Sequence, residues 1–151
     1  MANTQAMCTS FKSEILTGTH NFGVAPTRGS TAADSFKAAL YLASATVNAT
    51  TTAYSASNEV SGTGYTAGGV AVTNATVPTT SGTTAYWTPS ASITYTTVTL
   101  TTAFDAVLIY NSTQSNKAVS VHTFGSQTVT AGTFSLTMPA NAPSTALLNI
   151  A

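Results

Sequence analysis

Charge is nearly absent from this chain. Of its 151 residues only Lys12, Arg28, Lys37 and Lys117 are basic and only Glu14, Asp34, Glu59 and Asp105 are acidic, so the net charge is zero. In an ordinary soluble domain about a quarter of the residues are charged. Whatever this chain folds into must therefore cover its exterior with something other than Lys and Glu. The replacement is visible in the composition: 32 Thr, 25 Ala, 17 Ser and 10 Gly fill 84 of the 151 positions. Without a surplus of Lys and Arg the chain cannot neutralise phosphates, so neither nucleic acid nor an anionic membrane surface is an expected partner. Self-repulsion is also too weak to keep copies apart, which points to a protein that works bound to something.

The length suits one domain over residues 1–151 and is enough to bury a core. Cys8 stands alone and cannot form an internal disulfide. The start shows no basic segment followed by an apolar one, so the expectation is a protein made and kept in a reducing cytosol. Three Asn-x-Thr triplets, at Asn48, Asn74 and Asn111, then have no route to glycosylation. No apolar run approaches the roughly 18 residues a membrane span needs.

One short stretch predicts a helix. Thr9 or Ser10 can cap it, Glu14 lies in its early turns, Phe11, Ile15 and Leu16 share a face, and Gly18 ends the pattern. Residues 22–33, with Gly23, Pro26, Gly29 and Ser30, carry turn formers and no period, so residues 1–34 read as a helix with a loop or arm. From Ser35 the text is strand-like. Phe36, Ala38, Leu40 and Leu42 alternate with Lys37, Ala39 and Tyr41, which places the first set on the core face. Residues 58–69 are too rich in glycine for a helix and predict a long ordered loop. Strands are then expected over 70–73, 83–88, 93–100, 106–111, 118–124, 132–139 and 146–150. Short strands between Gly, Pro, Asn and Ser clusters predict an all-β fold for 35–151, an antiparallel β-sandwich or jelly-roll-like barrel. Threonine is β-branched and suits the exposed face of a strand, as in Ile93-Thr94-Tyr95-Thr96. Val107-Leu108-Ile109-Tyr110 is apolar on both faces and predicts a central, covered strand.

Chemistry-bearing patterns are few. Gly62-Thr63-Gly64-Tyr65-Thr66-Ala67 fits the dinucleotide spacing G-x-G-x-x-A, but that motif must open a helix, and here Gly68-Gly69-Val70 follows. A loop or bulge is the better reading, and no cofactor is expected. The four carboxylates lie on separate segments with no paired spacing, His20 and His122 are far apart, Cys8 has no partnering histidine signature, and no serine sits in a G-x-S-x-G elbow. No catalytic, cofactor or metal residue is nominated, and an enzyme is not expected. Trp87, Tyr86, Tyr95, Tyr54 and Tyr65 could form an aromatic platform, although rings on strands more often pack within the sheet. The Thr-x-Thr text at Thr94, Thr96, Thr97, Thr99 and Thr101 suggests an ice-binding ladder, but the coil period of such a solenoid is missing.

Several blocks resemble a known family. Residues 9–22 (Thr-Ser-Phe-Lys-Ser-Glu-Ile-Leu-Thr-Gly-Thr-His-Asn-Phe), 36–41, 58–69 and 108–112, together with 116–119, 124–125, 132–134 and 146–151, are similar to small virion structural proteins of tailed bacteriophages. The sequence departs from that pattern at 23–33, which is longer, and after Trp87, which is richer in Thr and Ser. The resemblance implies a head decoration or cement protein, bound as a trimer to the lattice of the major capsid protein in a virion assembled in the host bacterial cytoplasm. A tail or fibre component binding a host-surface glycan is the alternative. A glycan binder should gather Trp87 and the tyrosines on one exposed face, whereas a cement protein should bury apolar patches against neighbours.

Overall fold

The structure is a computed structural model describing residues 2–16, 18–23 and 32–151. In chain order its elements are β1 (Ala6–Met7), α1 (Thr9–Leu16), β2 (Phe36–Leu42), β3 (Val70–Val72), β4 (Thr79–Ser81), β5 (Thr84–Trp87), β6 (Ile93–Asn111), β7 (Lys117–Leu136) and β8 (Leu148–Ile150). They make two antiparallel sheets, β1-β7-β6-β2-β3 and β4-β5-β8, with one short helix. The fold is all-β and sandwich-like, as the strand pattern predicts. The arm predicted over 22–33 lies mostly outside the described residues.

The helix ends as expected. Gly18 takes φ +67, its N–H reaches Ile15 O at 3.0 Å, and Thr19 N–H reaches Glu14 O at 2.9 Å. This pair of bonds is a Schellman cap, which requires the left-handed residue that glycine supplies. Phe11 is buried and Ile15 packs against the core. The predicted N-caps are corrected: Thr9 and Ser10 both lie inside the first turn, and Ser10 Oγ has no hydrogen-bond partner. The start of the helix is set instead by Cys8, whose N–H is held by Val119 O of β7 at 3.0 Å.

Two pairs of predicted strands are in fact single long ones. Residues 93–100 and 106–111 belong to β6, and 118–124 and most of 132–139 to β7. The chain between them has no proline, and the β6–β7 register slips four times between Tyr95 and Ala106. These bulges bend the hairpin where a turn was expected. Its far end folds back over its base: Tyr95 Oη donates to Ala38 O at 2.8 Å, and Ile93 and Leu136 face Val107 and Ile109 across a small cavity. The Thr96-Thr97 doublet marks one bulge. Thr97 has φ +54, and the buried set moves from Ile93 and Tyr95 to Val98 and Leu100, a change of parity that one inserted residue produces. Outside, Thr94, Thr96, Thr97, Thr101 and Thr102 are exposed, so threonine does cover the sheet where Lys and Glu usually stand.

The predicted central strand is central. Val107, Leu108, Ile109 and Tyr110 are all buried between β2 and β7. The one-sided alternation predicted for β2 is corrected, because Ala39 and Tyr41 are buried together with Phe36, Ala38 and Leu40, while Leu42 is half-buried. β6 pairs with β2 throughout, but on the opposite edge the pairing with β3 stops at Ala38. The ordered loop takes that place: Val60 N–H donates to Leu40 O and Leu42 N–H to Asn58 O, each at 3.0 Å, and Leu40 N–H donates to Tyr65 Oη at 3.0 Å. An otherwise open sheet edge is thereby sealed by loop backbone and a phenol.

Candidate functional site

Two polar clusters hold the loops on this frame. In the first, Glu59 accepts from Tyr54 Oη and Tyr65 Oη, each at 2.6 Å, and from Gly68 N–H at 2.8 Å. Tyr110 Oη donates to Gly68 O at 2.8 Å, and Tyr54 stacks on Tyr110 with ring centroids 4.8 Å apart. Burial and then the hydrogen bond to Glu59 push the Tyr54 and Tyr65 hydroxyls well up, so both stay protonated as donors. Gly62 and Gly64 belong to the same loop. A Cβ on Gly62 would lie 2.0 Å from Thr99 O, and one on Gly64 2.3 Å from Thr97 O, so this G-x-G text serves backbone approach to β6. No helix follows it; β3 does.

The second cluster joins α1 to the sheet. His20 Nε2 lies 2.8 Å from Glu14 Oε2, and His20 Nδ1 lies 3.0 Å from Asn111 Nδ2, which also donates to Asp34 Oδ2 at 2.7 Å. The amide donor at Nδ1 fixes the tautomer with its proton on Nε2. Lys117 Nζ donates to the other oxygen of Glu14. Burial raises the Glu14 carboxyl, but hydrogen bonds from Lys117 and His20 outweigh it and leave the group below its usual range. With both ring nitrogens bonded, His20 fastens the helix to the sheet. Asp34 also accepts from Asn21 N–H at 2.9 Å, and Asp105 accepts from Asn3 Nδ2 at 2.6 Å. Glu14 and Asp34, on separate segments of the sequence, thus join one cluster through His20 and Asn111, whereas Glu59 and Asp105 lie elsewhere.

His122 stands apart from both clusters, with Nε2 2.9 Å from Ser120 Oγ. Burial pushes its imidazole down from 6.5 to about 4. Between those values the unfolded chain binds a proton that the folded chain excludes, so stability is full above pH 6.5 and declines as pH falls toward 4. The predicted loss is about 3 kcal/mol. It should appear as a falling melting temperature over that window, flattened in His122→Gln. Glu14 is shifted in the same direction, so its stabilisation is likewise lost as pH falls, but only below 4.5. Cys8 is fully buried, and burial raises its thiol to about 11. Native protein at pH 8 should therefore resist iodoacetamide, with labelling appearing only in denaturant.

The five aromatic residues considered as a platform do not form one exposed face. Trp87 is buried, close to Phe22 and Phe36, and donates from Nε1 to Thr76 O at 2.8 Å. Tyr95 is buried against Tyr65 and Phe134, while Tyr54 and Tyr65 bind Glu59. Tyr86 lines an apolar groove together with Trp87 and Phe22. The sequence reading missed the work of the asparagines. Asn48 Oδ1 accepts from Thr50 N–H and Asn111 Oδ1 from Thr113 N–H, two Asx turns for which Asn-x-Thr was the available signal. Asn74 bonds Gly23 N–H and Asp34 O. Among the described residues no cluster of His, Cys, Asp and Glu is arranged to hold a metal, and no helix is long and apolar enough to cross a membrane. No protein-family model matches this chain, and no curated protein or solved structure does either.

Proposed function

We propose that the protein is a bacteriophage virion structural protein, a capsid decoration or cement protein that binds the major capsid protein lattice and stabilises the head, with its own copies associating as a trimer. One observation carries this reading. Among the described residues, Glu14, Glu59, His20 and His122 are engaged in internal hydrogen bonds, while the exposed positions of the long hairpin are uncharged and mostly threonine on β6. Such a surface can pack against many identical neighbours without accumulating repulsion, because a symmetric assembly repeats every charge it contains. The resemblance of residues 9–22 and 58–69 to phage virion proteins supplies the context. The glycan-binding alternative has less support, since its aromatic residues are dispersed and Trp87 is buried. The test is to mix purified protein with expanded, undecorated capsids. Saturable binding and greater resistance of the particles to heat are expected; binding to tails alone, or to nothing, would overturn the assignment.

A further inference from the structure

Two cavities, of about 130 and 300 Å³, flank the base of β7, and His122 and Leu147 are the two residues that line both. The imidazole and Leu147 therefore form the wall between them. Around that wall β1 contributes Ala6 and Met7, β6 contributes Val107 and Ile109, and the C-terminal segment contributes Met138 and Leu147. Apart from His122, no residue lining either cavity is titratable or charged. Nε2 of the ring has Ser120 Oγ at 2.9 Å, and Nδ1 has no hydrogen-bond partner among the described residues. The cover on this histidine is lightly held. Residues 138–147 form no strand, and their hydrogen bonds run within the segment, as from Ala146 N–H to Ala142 O at 2.9 Å, or from Leu147 N–H to Thr88 Oγ1 at 2.9 Å. Among the described residues none joins them to β6 or β7, so packing of Met138 and Leu147 on the core keeps the segment in place.

We propose that His122 is an acid-sensitive latch: when it takes a proton, residues 138–147 lift from β7 and Thr88 and water reaches the ring, while the paired core of β2, β6 and β7 stays folded. An imidazolium carries two N–H donors and a full charge. Ser120 can accept from one nitrogen, but no described group stands within reach of the other, and no carboxylate lines the cavities to balance the charge. Hydration is the remaining relief, and it comes most readily by moving the element with the fewest bonds to the sheet. β6 cannot move, because Val107 pairs with Leu40 on one side and His122 on the other. β1 is paired too, Ala6 with Val121 and Met7 with Ser120. The segment over Leu147 has no such ladder. The downward shift of the imidazole by burial agrees with this, since the closed form refuses a proton that an open form would accept. The latch operates whether or not the protein binds capsids.

Hydrogen exchange of the full chain, followed residue by residue by NMR and corrected for intrinsic rates, tests it at the Leu147 amide. With the ring at about 4 when closed and at its ordinary value when open, the opening constant of Leu147 should rise roughly fiftyfold from pH 7 to pH 4.5. That opening should barely respond to dilute urea, because it exposes little surface, whereas the Leu108 amide of β6 should exchange only through a urea-dependent global step. His122→Gln should flatten the pH dependence at Leu147. If that variant does not fold, the pH and urea profiles of the unsubstituted protein still decide. A Leu147 amide whose opening ignores pH overturns the latch. So does one that opens only together with Leu108 and with the same urea dependence, or a pH response that survives in His122→Gln.

Discussion

Gly69→Ala should yield no folded protein. Gly69 has φ +72, and a Cβ built there falls 1.7 Å from Ala38 O, 2.5 Å from Ala38 C and 2.8 Å from Ala39 Cα. All three atoms are backbone of β2, held on its other side by β6, so no flexible side chain can swing away. Relief requires moving the loop off the sheet where β3 begins to pair, with Val70 opposite Ala38. That would separate Gly68 from Glu59 and Tyr110 as well. The expected loss exceeds about 5 kcal/mol, the range reserved for disrupted cores and networks. Gly82→Ala is the control. Its φ of +58 is equally left-handed but nothing lies within 4 Å of the new Cβ, so a cost of about 1 kcal/mol is expected from backbone conformation alone. Chemical denaturation of the two variants separates steric from conformational causes. Equal stabilities would mean that the close packing of Gly69 on β2 is wrong.

Tyr110→Asp should likewise prevent folding. Tyr110 is 2% exposed near the end of β6, between β2 and β7. Removing an aromatic side chain from such a site costs about 3–5 kcal/mol. The new carboxylate would lie buried near Glu59 with the Gly68 carbonyl, an acceptor, where a donor stood. An unpaired buried charge adds several kcal/mol more, enough to consume the roughly 5–15 kcal/mol by which domains are stable. Tyr110→Phe keeps the stack on Tyr54 and loses one hydrogen bond, so a fall of only about 1–2 kcal/mol is expected in urea titration. Soluble, cooperatively unfolding Tyr110→Asp protein would remove this strand from the core.

Much of this could be read locally. The covered strand at 107–110 shows as four consecutive apolar residues, the helix stop as Gly18, and the loop at 58–69 as its glycines. The two short strands β1 and β4 could not be found, since two or three residues carry no period and β1 exists only because β7 offers Val121 and Ser120 as partners. The continuity of β6 was also hidden, because a bulge breaks the alternation that identifies a strand. Of the candidate site, the sequence supplied the residues but not their company. His20 and Glu14 are 6 positions apart and within reach of inspection, whereas His20 meets Asn111 across 91 positions.

What the sequence determined by itself was the class of fold and the nature of the exterior. β-Branched threonine favours strands wherever it sits, and a chain with 4 basic and 4 acidic residues has no other means of covering them. Tertiary structure decided which glycines touch backbone and which aromatic rings leave the surface. Those outcomes depend on contacts such as Tyr95 with Ala38, 57 positions apart, and propensity extends no farther than a few neighbours along the chain.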